Sequence, residues 1–231
     1  MSREWVAWHQ DYPTDPGRAG RLRVVQELLA RAIDRAPHGR VRLVSLCAGD
    51  GRDLLGVLPS HPRRAEVSAR LVEFEPELLG VGREAARRSG LGSVEFFQGD
   101  AASRESYFGA VPANIVLACG IFGNISDEDV RRTVTHLPEL CAPGAVVIWT
   151  RGRFEPDLTP SIRSWFKESG FVELAFVPIP GSTAAVGAHQ LVRQPHALEW
   201  DGPLFTFLPK SLRPSARGRH DCVDPEPTGP E

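Results

Sequence analysis

Apolar positions along this chain follow two different periods. Leu22, Val25, Leu29 and Ile33 recur at helical spacing and predict a helix with one buried stripe, ended by Pro37-His38-Gly39. Residues 41–46 then form a short run with little polar interruption, as in a strand buried on both faces. The same run returns at 69–74, 93–98, 113–118 and 145–150. Helical stretches separate these runs: 54–58, 76–89, one opened by Ser126, and one from Thr159-Pro160 to Gly170. Pro76 suits the first turn of a helix, where its missing N–H costs nothing. Ser126 with Asp129 three residues on forms a partial capping box.

After Gly170 the alternation stops. Residues 171–177 and 184–192 both read as strands, with only 178–183 between them. A parallel pair needs a crossover of about a dozen residues, so this pair is predicted to be an antiparallel hairpin. The predicted fold class is α/β. It is a Rossmann-like, doubly wound, mostly parallel seven-stranded sheet, ending in an antiparallel hairpin, with helices on both faces.

The flanks read differently. Residues 2–12 are predicted as a short helix carrying Trp5, Trp8 and Tyr12 on one face. Order weakens after Pro195, where 204–207 could add a short edge strand. Residues 209–231 are rich in Pro, Arg and Gly and too poor in apolar side chains to offset ordering entropy, so they read as a disordered tail. The expected organisation is an N-terminal helical lid over 1–40, a catalytic domain over 41–208 and the tail over 209–231.

Composition narrows the possibilities. A chain of 231 residues fits one sizeable domain. The formal net charge of -2, without clustered Lys and Arg, argues against a nucleic-acid partner. Cys47, Cys119, Cys141 and Cys222 show neither CxxC pairs nor zinc-ligand spacing, so no metal site or disulfide framework is expected and a cytoplasmic setting is. No apolar run is long enough to suggest a membrane partner.

In such sheets ligands sit beyond the carboxyl ends of the strands, where strand order reverses. Three loops leave those ends with matched chemistry. The first is the turn Cys47-Ala48-Gly49-Asp50-Gly51, whose small residues let a ligand approach the backbone. Such a turn alone serves nicotinamide and flavin enzymes equally well. The second carries Glu73, about twenty residues on, the separation at which an acid meets ribose hydroxyls. The third is Gln98-Gly99-Asp100-Ala101, where a carboxylate can accept from an adenine amino group and the Ala101 N–H can serve a ring nitrogen. Each acid has a plain structural alternative, as a solvated side chain or a helix cap. Together they suit adenosine. Asp50, inside the turn, would repel a pyrophosphate and tolerate a sulfonium-bearing zwitterion.

The segments 43–53, 71–77, 99–101 and 113–120 resemble the successive motifs of class I S-adenosylmethionine-dependent methyltransferases, in the family's order, over roughly 41–193. The turn after the first strand, together with Cys119-Gly120-Ile121-Phe122-Gly123-Asn124-Ile125, resembles a bacterial branch of that superfamily. The resemblance implies that Cys47, Ala48, Gly49, Asp50 and Gly51 back onto the methionine part of the cofactor. It implies that Glu73 holds the ribose, that Phe74 packs on adenine beside Asp100 and Ala101, and that Cys119 and Gly120 face the amino end. Ser45 stands where the family usually has an acid, and Cys47 where it has a glycine.

Methyl transfer is an in-line displacement in which the enzyme mainly aligns the acceptor and excludes water. A base is useful only when the acceptor must lose a proton. The candidates are His9 and Tyr12 on the N-terminal segment, Asn124 after the fourth strand, and His189 on the last strand. Arg151, Arg153 and Asp157 could meet a charged acceptor. The loop from Ala118 to Phe122 lacks the Asn/Asp-Pro-Pro-aromatic pattern of nucleic-acid amino methylases, so a small-molecule acceptor is expected, on a monomer or homodimer. Two other readings stay open: a non-catalytic S-adenosylmethionine-binding or scaffold protein, and a NAD- or FAD-dependent oxidoreductase.

Overall fold

The computed structural model describes residues 16–213. Helix α1 (Pro16–Arg35) leads into β1 (Val41–Ser45), the short α2 (Arg52–Leu55), β2 (Val67–Glu73), α3 (Pro76–Arg88) and β3 (Val94–Gln98). Then follow β4 (Ala113–Ala118), α4 (Asp127–His136), β5 (Cys141–Gly152), α5 (Thr159–Glu168), β6 (Phe171–Pro178) and β7 (Ala184–Leu191).

The seven strands form one sheet in the order β3-β2-β1-β4-β5-β7-β6. Strands β1 to β5 are parallel, and β7 runs antiparallel to both β5 and β6. The expected hairpin forms, with residues 179–183 joining its two strands. Order reverses between β1 and β4, with Ser45 level with both Leu71 and Leu117. That opens a crevice at the strand ends.

Both sheet faces are buried, which is why the strands read as apolar runs. Leu43, Leu117 and Ile148 face one core with Val25, Leu29 and Ile33 of α1 and Leu79 of α3. Val44, Val116, Val147 and Trp149 face the other, with Val130 and Val134 of α4 and Ile162 and Phe166 of α5. Ser126 caps α4, its Oγ accepting the Asp129 N–H at 3.1 Å.

Several elements differ from the sequence pattern. The helix expected at 54–58 starts at Arg52 and stops at Leu55. Gly56 follows as its C-cap, where a side chain has no room because an added Cβ would strike the Gln26 side chain at 2.0 Å. Strand β5 begins at Cys141, which pairs with Ala113 across a register shift. Residues 204–207 add no edge strand. They lie in a strap (198–208) over the second core, joined to the loop after β4 by an isolated Ile125–Phe207 bridge. Beyond 208 the chain continues through a 3-10 turn (Lys210–Leu212) to buried Arg213, whose Nε donates to the Leu208 carbonyl. The expected helix over 2–12, and 214–231 of the expected tail, lie outside the described residues. Among the described residues no helix is long and apolar enough to cross a membrane.

Candidate functional site

The turn after β1 is built on three left-handed residues, Cys47 (φ 50°), Gly49 (φ 58°) and Gly51 (φ 75°). Gly51 has no room for a side chain, since a Cβ would approach Phe96 at 2.9 Å. Cys47 keeps a backbone geometry that favours glycine, at a cost of roughly 1–2 kcal/mol. Its main chain is pinned on both sides, by Leu46 N–H to Leu117 O and Ala48 N–H to Val72 O, each 2.9 Å.

Glu73 closes this turn onto the next loop. Its Oε2 accepts the Gly49 N–H at 2.7 Å, and its Oε1 accepts the N–H groups of Phe74 (3.0 Å) and Glu75 (2.9 Å). Those bonds fix the carboxylate at the strand end and still leave lone-pair capacity. Phe74 beside it is 75% exposed, an apolar ring left uncovered at the strand end. In the loop after β3, Asp100 Oδ1 accepts the Ala102 N–H at 2.8 Å, and the buried Tyr107 hydroxyl donates to the Ala101 carbonyl at 2.6 Å.

Electrostatics link these loops. Burial first, then the negative charges of Glu73 and Asp100, push the Cys47 thiol well above its ordinary range. Cys47 is thus a neutral thiol facing both acids. Burial, and then Cys47 and Asp100, raise the Tyr107 phenol in the same way. The structure therefore brings Cys47, Glu73 and Asp100 together, as their positions after β1, β2 and β3 lead one to expect.

Asp50 requires a correction. Its carboxylate accepts the Arg52 Nε at 2.9 Å, the guanidinium NH2 at 2.6 Å and the Arg52 backbone N–H at 3.2 Å. The turn holds a compensated pair rather than a bare negative charge, so repulsion of a pyrophosphate by Asp50 does not follow.

Across the crevice, the Gly120 N–H donates to the Thr150 hydroxyl at 2.8 Å, and a side chain at Gly120 would meet open space. The Cys119 thiol is pushed up by burial and by Asp53, which also hydrogen-bonds it, against the opposing pull of Arg21. Arg21 of α1 and Asp53 of α2, neither singled out by the sequence, thereby join this end of the site. Asn124 is internal to its loop: Nδ2 donates to the Gly120 carbonyl at 2.7 Å, and its own carbonyl accepts the Leu208 N–H at 2.8 Å. Arg151 is also structural. Only 5% exposed, it donates to the Phe122 carbonyl and lies 3.5 Å from Asp127.

His189 is not brought to the strand ends. It sits mid-strand opposite Val147, 1% exposed, stacked on Phe166 at 4.3 Å, and its Nδ1 accepts the Trp149 indole N–H at 3.1 Å. Burial, only partly offset by Glu173, lowers its pKa to about 4. A neutral, enclosed imidazole in this position packs the core. His9 and Tyr12 lie outside the described residues. Among the described residues, no group of three or more His, Cys, Asp or Glu could hold a metal.

Comparison with known proteins adds to this geometry. Residues 17–166 match the sequence model of a family described as "Putative methyltransferase". An Escherichia coli (strain K12) protein, "Uncharacterized protein YnbC", is 27% identical over 121 residues, 51% of this chain and 20% of that protein. The chain thus spans a fifth of the length of that relative. Among solved structures, an O-methyltransferase family protein from Burkholderia thailandensis superposes with a TM-score of 0.59 at 20% identity, covering 74% of this chain and 55% of that one. Magnesium protoporphyrin IX methyltransferase (ChlM) from Synechocystis PCC 6803, with bound SAM, gives 0.61 at 13% identity, covering 75% and 81%. The [4+2]-cyclase SpnF gives 0.54 at 14% identity, covering 72% and 81%. At these identities the superpositions show a shared fold.

Proposed function

We propose, because the chain belongs to this methyltransferase family, that it binds S-adenosylmethionine and transfers its methyl group to a small-molecule acceptor through an O, N or C nucleophile. The observation that carries the reading is the convergence of Cys47, Glu73 and Asp100 at the ends of three adjacent strands. The residues present fit the cofactor. Glu73 is pre-positioned by three backbone donors to accept from ribose hydroxyls. Asp100 can accept from the adenine amino group, the exposed Phe74 ring supplies an apolar face, and Gly120 leaves its backbone open. Ala48, Gly49, Asp50 and Gly51 form the turn beneath the methionine part, with Cys47 and Cys119 beside it.

When bound, the sulfonium supplies an activated methyl group that a nucleophile displaces in line. The chain's own residues bind, orient and exclude water. Beside the neutral Cys47 thiol, the carboxylates of Glu73 and Asp100 give this side of the crevice a negative character that suits a cationic ligand. Asn124 braces the loop on the acceptor side. His9 and Tyr12 are the candidates for removing a proton from the acceptor, and the fold over 41–208 forms the catalytic domain.

The test is calorimetric titration with S-adenosylhomocysteine, followed by a methyl-acceptor panel with labelled S-adenosylmethionine. Saturable one-site binding and label transfer are expected. Absence of binding would falsify the reading. Binding with no transfer to any acceptor would favour the non-catalytic alternative.

A further inference from the structure

Strap 198–208 does more than close the second core. The Glu139 carboxylate accepts the N–H groups of Glu199 and Trp200 at 2.7 and 3.0 Å, fixing the start of the strap. The Trp200 indole, 3% exposed, packs edge-on against Tyr107 at 6.0 Å. The Leu204 N–H donates to the Ala102 carbonyl at 2.9 Å, and Arg104 holds the Trp200 carbonyl (3.3 Å) and the Asp201 carboxylate (3.6 Å). Leu208 then binds Asn124. The strap therefore ties the loop after β3 to the loop after β4.

Between strap and loop lies a groove of about 350 Å³, lined by Asp100, Ser103, Arg104 and Glu105 on one side and Trp200–Pro203 on the other. That volume suits a small organic ligand or a large part of one. Asp100 belongs both to this groove and to the cluster with Cys47 and Glu73.

We infer that Trp200–Pro203 forms the outer wall of the compartment that receives the purine of the cofactor, an assignment that rests on the function proposed above. Asp100 spends Oδ1 on the Ala102 N–H, and an exocyclic amino group is the donor its carboxylate can accept from. The planar guanidinium of Arg104 can lie against a purine face. The matched family segment ends at 166, so this wall is contributed from outside it.

The test uses the full chain and S-adenosylhomocysteine. Ser103→Trp fills the groove and is expected to weaken binding at least tenfold without changing the unfolding temperature of the ligand-free protein. Trp200→Phe keeps an aromatic ring against Tyr107, and is expected to remove most of the ligand-induced change in emission from a chain with five tryptophans. S-inosylhomocysteine, lacking the amino group, should bind the parent protein at least tenfold more weakly. If the parent binds S-adenosylhomocysteine but Ser103→Trp binds equally well, or Trp200→Phe keeps the full emission change, the groove assignment is overturned while the proposed function stands. If the parent does not bind at all, both fall together. Should Ser103→Trp fail to fold, the Trp200→Phe emission result decides.

Discussion

Replacing Glu73 with alanine cuts the joint between the turn after β1 and the loop after β2. Three backbone N–H groups, those of Gly49, Phe74 and Glu75, lose their acceptor at once. A hydrogen bond to a charged group contributes about 1.5–3 kcal/mol, but the position is only half-buried and water recovers part of the loss. We expect a net destabilisation of about 2 kcal/mol, which in a domain of this size lowers the unfolding temperature by about 4–8 °C. Under the proposed function the carboxylate also holds ribose, so the S-adenosylhomocysteine dissociation constant should rise at least tenfold, or about 1.4 kcal/mol. Glu73→Gln keeps one oxygen and should fall between the parent and the alanine variant in both measurements. Differential scanning fluorimetry without ligand reads the first effect, and calorimetry at a temperature where the variant is fully folded reads the second. A lowered unfolding temperature with unchanged affinity would leave Glu73 as a loop brace only. No change in either would refute the reasoning.

Three further outcomes follow from packing and charge. Gly187→Ala should cost about 1–3 kcal/mol in denaturant unfolding, because its Cβ would meet the buried Trp149 ring at 2.2 Å; an unchanged midpoint would show that the indole moves aside. His189 is neutral in the fold, with a pKa near 4 against an ordinary 6.5, and it faces Trp149, Phe166, Glu173 and Arg163. The unfolded chain takes up the proton first, so the contribution is full above pH 6.5 and is lost as pH falls toward 4, by about 3 kcal/mol in total. Unfolding temperatures of the parent and His189→Gln, compared from pH 7 to 5 and so above the range where Glu173 titrates, should show a flatter profile in the variant; parallel profiles would assign the slope elsewhere. Cys47→Val should destabilise by more than about 1 kcal/mol, since a β-branched residue is forced to φ 50°, whereas Cys47→Gly should be near neutral; equal effects in thermal melts would remove backbone strain as the cause.

Much of this architecture was legible because single residues carry unambiguous constraints. The six residues 178–183 cannot cross over a sheet, so they dictate the hairpin. Ser126 had one physical role available and fills it. Glu73 and Asp100 were legible because each stands at or just after the end of an apolar run, 69–74 and 93–98. Other features depend on contacts that no local pattern reports. The charge of Asp50 looks bare in sequence until Arg52 folds back over it. Cys47 gives no sign of a left-handed backbone, because cysteine seldom adopts one. The strap was the larger omission. Leu198, Trp200, Leu204, Phe205 and Phe207 were its signal, too irregular for either period because each reaches the core from extended chain. His189 shows the converse: a titratable side chain looks chemical in sequence, and only its stacking on Phe166 and Trp149 reveals a packing role.

The position of β7 bears on how the molecule assembles as it is made. Among the described residues, the last strand to leave the ribosome lies inside the sheet, between β5 and β6. Until residues 184–191 emerge, β6 has no neighbour and β5 presents an open edge bearing Val146, Val147, Ile148 and Trp149. An apolar edge of that kind is a template for pairing with another chain. The short hairpin connection answers this hazard, because β6 and β7 can zip locally and dock as a unit. The final step of synthesis for this sheet is therefore also the step that covers its most adhesive surface, and a nascent chain stalled before Ala184 is the species a chaperone would have to hold.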